Sequence, residues 1–519
     1  MSTNPNSQQS NIHNKTTKEK LSFFTVMLIT VGSCIGAGIF FKNASILQNT
    51  GSIVMTIVSW LIAIIGILAI AFTLTDLVTG SGKYNSLGII GWIRAFCGDY
   101  IYKGFRNFML YVYLPTNFFF MPYYAVLSIQ DAFNVFCGDK VVIPIWLVII
   151  LSATIMIYFA ITCALSTRTA SVQNHVVTAV KFIPLLFAIV AGVWIFASNG
   201  GHTPNPLWQN KNSTNSDAPY QFYQFSPMLG VIASIPAIFF AFDGFYSSSA
   251  SQHKMHEPRR ASHAMALGIA IVAAIYVLIS IALLLGAKDG SFLGLNIEKL
   301  KNQTWWKVIM FMMLIFIAFG VFGVINGFAI YGSEFLHDLI KRDEVPLSVW
   351  FKNKFGNGNK VGIMLYTLVL YFTSFIIFTL IGCFYFSNGP YEGIDYYGPI
   401  VIKLYNFCDL ISNWTSLIVF VGLGAAILGG LVKKYRRQMH QTSKWFNIMA
   451  IIGIVLITLS LLYEFTNTFY DLCSSISFTN AHNISISQFV VPAILQLTLL
   501  IIFTLIIALS GLNKKQLKK

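Results

Sequence analysis

Three features lie where an apolar chain has little ordinary use for them. The stretch Val31 to Phe40, reading Val-Gly-Ser-Cys-Ile-Gly-Ala-Gly-Ile-Phe, puts Gly32, Gly36 and Gly38 inside an otherwise apolar run from Leu21 to Phe41. Glycine weakens a helix, and within a bilayer a freed N–H or C=O is costly unless another group binds it. Such a break is tolerated where it lines a cavity or faces other protein. The spacing therefore has two readings: an opened backbone that holds a ligand, or a seam of close helix packing, for which Gly32 and Gly36 have the small-xxx-small interval.

The second feature is Asp243, in the run Phe239-Phe240-Ala241-Phe242-Asp243-Gly244-Phe245-Tyr246. An ionisable group at that depth is costly and marks a functional site by default, the alternative being a protonated or hydrogen-bonded group that ties two helices together. The third is Lys181, in Thr178-Ala-Val-Lys-Phe-Ile-Pro184. It snorkels to the interface, or it is buried, exchanges protons near neutral pH and supplies positive charge where a sodium ion would otherwise bind.

These residues need a membrane scaffold to position them. Of 519 residues, 56% are apolar, 15% aromatic and only 10% charged, far from the composition of soluble domains. The net charge of +15 comes from short cationic clusters between apolar runs, a pattern of cytoplasmic loops that argues against a nucleic-acid partner. Runs of about 20 residues or more, the length that spans a bilayer, fall near 21–41, 52–74, 106–130, 141–163, 174–197, 227–250, 264–286, 305–331, 361–386, 409–432, 446–465 and 488–511. With the N-terminus inside, the inner loops hold about three times as many Lys and Arg as the outer ones, which supports an even number of spans. In this count Lys42 belongs to an outer loop.

Between the second and third spans, Leu87 to Tyr102 is amphipathic and reads as a short interfacial helix with Lys83, Arg94 and Lys103 toward lipid headgroups. The seven cysteines form no C-x-x-C pair and read as mostly buried thiols. His253, His256 and His263 share a loop with Lys254, Arg259 and Arg260, a poor metal site. No Walker-type phosphate loop and no paired nucleophile and base stand out, so the chain reads as neither an ATP-driven pump nor an enzyme. Interrupted spans at positions one and six suggest five helices inverted against the next five, with substrate at the midplane between the breaks. Helix N-termini there attract a carboxylate and freed carbonyls a cation; an amino acid presents both charges.

Gly32-Ser-Cys-Ile-Gly36-Ala-Gly38-Ile-Phe40 resembles the first helix of the amino acid, polyamine and organocation transporter superfamily. Phe240-Ala-Phe-Asp-Gly244-Phe, Ser81-Gly-Lys-Tyr84, Lys181-Phe-Ile-Pro184 and Asn326 to Pro346 are similar to further family segments, in the family's order. The resemblance implies an all-α fold of the leucine-transporter type. Its layout would be a cytoplasmic tail (1–20), a first five-helix repeat (21–197), an extracellular loop (198–226), a second repeat (227–432), two added helices (433–511) and a second cytoplasmic tail (512–519).

By the same resemblance, Ser33, Cys34, Ile35, Gly36, Ala37, Gly38, Phe240, Ala241, Phe242, Asp243 and Gly244 would form the substrate site, with amides around Cys34 to Gly38 holding the substrate carboxylate. Carbonyls near Ile35, Phe240 and Asp243 would take the amino group, with Phe240 as a gate. Lys181 would stand in for a coupling sodium. Two departures remain: Asp243 replaces a small or neutral residue and would either contact a cationic side chain or titrate as a proton carrier, joining Lys181 in coupling, and His253 to Pro258 lacks the pair of acids usual there. The expectation is a sodium-independent amino acid transporter of the plasma membrane, by proton symport or exchange, with no cofactor and no metal. A polyamine or organic-cation exchanger and a non-transporting sensor are the alternatives, and an accessory subunit is left open.

Overall fold

A chain this apolar can satisfy its backbone in lipid only by forming helices, whose hydrogen bonds stay within each segment. The computed structural model describes residues 22–36, 38–80, 88–138, 141–204, 219–246, 260–356, 360–385, 397–436, 442–482 and 486–510, and every regular element among them is helical. The first half comprises α1 (Phe23–Cys34), α2 (Gly38–Thr50), α3 (Ile53–Gly80), α4 (Ile89–Cys97), α5 (Asp99–Phe108), a π turn (Met109–Tyr113), α6 (Leu114–Cys137), α7 (Ile145–Leu165) and α8 (Thr167–Ser198). The second comprises α9 (Pro227–Ala233), α10 (Ile235–Phe242), α11 (Ala261–Gly286), α12 (Thr304–Lys341), α13 (Ser348–Phe355), α14 (Lys360–Tyr385), α15 (Pro399–Tyr435), α16 (Phe446–His482) and α17 (Ile486–Ser510).

Nine described helices are long and apolar enough to cross a membrane, and the bent pair α1 and α2 makes a tenth. The expected spans near 106–130 and 227–250 overlap α6 and the shorter apolar pair α9 and α10, which are not among those helices. Large apolar side chains left bare on outward faces, such as Leu186, Val190, Val369 and Leu462, suit a lipid surround rather than water.

α6 packs on α12, α3 on α11, and α7 on α14, while α10 lies against both α2 and α15. Gly38 permits the contact between α2 and α10. A Cβ added there would stand 2.6 Å from Ala241 Cα, inside the backbone of the facing helix.

Three expectations change. The first span does not end at Phe41: α2 continues to Thr50, and Lys42 is fully buried rather than in an outer loop. The amphipathic run is split at Gly98 (φ 84) into α4 and α5. Ile89, Ile90, Trp92, Ile93 and Phe96 are buried, with α4 packed on α15, while Arg94 donates to Asp99 (3.1 Å) and Glu344 (3.4 Å) instead of facing headgroups. Lys83 lies outside the described residues. Finally, α15 begins at Pro399 and α16 runs to His482, so Asp409 sits well inside a helix rather than at its start.

Replacing Gly38 by valine is expected to lower the thermal midpoint of the purified protein, because overpacking against fixed backbone costs about 1–3 kcal/mol. An unchanged midpoint would show that α2 and α10 do not approach this closely.

Candidate functional site

The first span breaks after Cys34, and α2 leaves at 49° to α1. Ending α1 there frees carbonyls that a continuous helix would have used, and starting α2 at Gly38 leaves its first amides without intrahelical acceptors. In the expected sixth span, α10 ends at Phe242. Asp243 is extended (φ −61, ψ 148), and Gly244 takes φ 92, a conformation open to glycine and strained for other residues. Gly244 abuts the first break: a Cβ there would stand 3.3 Å from the Ser33 carbonyl oxygen.

Two side chains from neighbouring helices bind the freed carbonyls. The Tyr276 hydroxyl of α11 lies 2.9 Å from the Cys34 carbonyl and 3.1 Å from that of Ala241, sharing its hydrogen between the two breaks. Lys181 of α8 donates its ammonium to the Gly32 carbonyl. At 5% exposure Lys181 is buried, so it does not reach the interface. The Phe240 carbonyl is taken locally by the Asp243 amide (3.1 Å).

Asp243 is surrounded by donors. Its Oδ2 accepts from Tyr113 (2.8 Å) and Ser416 (2.8 Å), and its Oδ1 from Tyr246 (3.0 Å) and the Gly244 amide (2.8 Å). Tyr113 reaches it from the π turn before α6. Such turns shift a helix's register by one residue and recur at functional sites.

A second buried cluster adjoins Phe240. Lys42 Nζ donates to Asp409 Oδ1 (2.6 Å), Ser412 Oγ (2.7 Å), the Asp409 carbonyl (3.2 Å) and, more distantly, the Tyr124 hydroxyl (3.4 Å). The ammonium also stands 4.6 Å from the Phe240 ring centroid, within cation–π range. Phe240 meets the rings of Phe120 (5.8 Å) and Tyr124 (6.2 Å).

The structure thus gathers Ser33, Cys34, Ile35, Gly36, Gly38, Phe240, Ala241, Phe242, Asp243, Gly244 and Lys181 around one junction. Ala37 lies outside the described residues, as do Ser81 to Tyr84 and His253 to Pro258. Phe242 and Phe245 are wholly buried in packing, against Tyr276 (5.1 Å) and Phe420 (6.0 Å) respectively. Asn326 of α12 binds the Ala170 carbonyl (2.9 Å) and Cys163 (3.0 Å), away from the breaks.

Sequence reasoning missed Lys42, Tyr113, Tyr276, Asp409 and Ser416. A signal existed for Lys42: no Gly or Pro interrupts the chain between Phe40 and Gly51, so the helix after the break had no reason to stop at Phe41. The other four are ordinary polar residues whose importance comes from partners far away in sequence.

Chemically, the junction joins the N-terminus of α2, which suits an anion, to freed carbonyls, which suit a cation. The amino acid permease family model matches residues 21–502. The chain is 31% identical to an uncharacterized protein of Mycoplasma pneumoniae, over 95% of this chain and 93% of that one. It is 24% identical to the serine/threonine exchanger SteT of Bacillus subtilis (64% of this chain, 70% of that one) and 22% identical to the arginine/ornithine antiporter ArcD2 of Lactococcus lactis (52% and 54%). With a family match over nearly its whole length and a junction of this form, the chain belongs to the amino acid permease family, a multi-pass membrane transporter rather than an enzyme.

Proposed function

We propose that this permease is a sodium-independent secondary transporter that carries amino acids across the plasma membrane by alternating access. The observation that carries this reading is the shared tie of the two broken spans. One hydroxyl, that of Tyr276, binds carbonyls on both sides of the junction. In this reading the substrate carboxylate binds the amides from Gly36 to Gly38, and its amino group binds carbonyls around Ile35, Phe240 and Asp243. Phe240 covers the site. The pairings α3 with α11, α6 with α12 and α7 with α14 support two inverted five-helix repeats followed by α16 and α17, twelve spans with both termini cytoplasmic.

The Lys181 ammonium supports sodium independence, since it already supplies the positive charge at the Gly32 carbonyl. The coupling mode is proton symport, which a buried amine favours, or exchange, which the names of the serine/threonine exchanger and the arginine/ornithine antiporter favour. In liposomes holding the purified chain, labelled amino acids should enter against unlabelled ones inside. Faster entry under an inward proton gradient would mark symport, and an absolute need for internal amino acid would mark exchange. The transport reading fails if neither accumulation nor exchange occurs.

Lys181→Ala should abolish any response to the proton gradient and slow uptake about tenfold, the loss of one charge-assisted hydrogen bond. An unchanged gradient response would assign Lys181 to structure alone.

A further inference from the structure

We infer that the side-chain end of this site takes neutral rather than cationic amino acids; this rests on the reading of the broken spans as the amino acid site. A cationic side chain needs a carboxylate with open lone pairs or an open aromatic face. A carboxyl group has about four acceptor positions, and Asp243 is enclosed by four protein groups within hydrogen-bond distance, Tyr113, Ser416, Tyr246 and the Gly244 amide, with the Tyr113 and Tyr246 hydroxyls also hydrogen-bonded to each other (2.5 Å). A ligand ammonium or guanidinium would have to displace one, leaving a buried donor unpaired. Protonation of Asp243 does not alter this, because the carboxyl group then loses its charge.

The other carboxylate beside the junction, Asp409, is engaged by Lys42 (2.6 Å) and by Asn413 (3.2 Å). The aromatic faces are similarly taken. Phe240 already has the Lys42 ammonium 4.6 Å from its centroid. A second cation there would meet the first without a spare counter-charge, and the repulsion between like charges grows as water is excluded.

The remaining neighbours of the junction are the rings of Phe240, Phe120 and Tyr124, with the Tyr124 hydroxyl bonded to Ser412 (3.2 Å). Neutral amino acids match this apolar lining.

The test is counterflow into liposomes containing the full chain and preloaded with unlabelled serine, alanine, leucine, lysine or arginine, each assayed with its own label. The neutral set should exchange at least about 10-fold faster than lysine and arginine, a ratio that corresponds to about 1.4 kcal/mol. Lysine or arginine exchange at an equal or higher rate would overturn this inference while leaving the transport reading intact. Absence of counterflow for every amino acid would overturn both. Ser416→Ala and Tyr246→Phe each withdraw one donor from Asp243 and should narrow the ratio several-fold. An unchanged ratio in both variants would overturn the assignment of selectivity to the occupied carboxylate.

Discussion

A carbonyl freed inside an apolar bundle must find a donor, and this requirement organises the centre of the molecule. Ending α1 at Cys34 and α10 at Phe242 releases backbone groups inside the packed bundle. The Tyr276 hydroxyl meets two of them at once, and the Lys181 ammonium meets a third. These donors come from α11 and α8, so the two breaks are held by helices outside the broken pair. Gly38 brings α2 against the α10 backbone, close enough for one tyrosine to serve both.

Charge at the junction follows the same rule. Burying an ion is unfavourable unless geometry and further hydrogen bonds compensate, and Lys42 and Asp243 each have several partners. Lys42 is matched by Asp409 with Ser412 beside it. Asp243 has four protein groups within hydrogen-bond distance. The charges are thereby directed inward, onto one another and onto backbone.

Much of this was legible in the sequence, for identifiable reasons. Glycine spacing revealed the break in the first span, because a glycine cluster inside an apolar run is a local signal. Asp243 and Lys181 stood out because charge in such runs is rare. The placement of the spans followed from hydropathy, though helix ends did not: α2, α15 and α16 extend into polar residues that read as loops, since tertiary burial makes Lys42, Asn43 and Asp409 acceptable inside the bundle. Asn43 shows how, donating to Gly290 while accepting from Trp60 and Ser280. The pair Lys42 and Asp409 joins residues on α2 and α15, and no single-sequence pattern links two such distant positions. Tyr113 was hidden for another reason: the π turn that aims it at Asp243 shifts the helical register, and helical periodicity assumes none.

The central claim is that the two broken spans together hold the amino acid. The most direct measurement is an experimental structure of the full chain in lipid with a saturating neutral amino acid such as serine. The account predicts ligand density at the junction, with the carboxylate within hydrogen-bond distance of the amides between Gly36 and Gly38 and the side chain beside Phe240. Density bound elsewhere, or at the junction with the carboxylate turned away from α2, would contradict it.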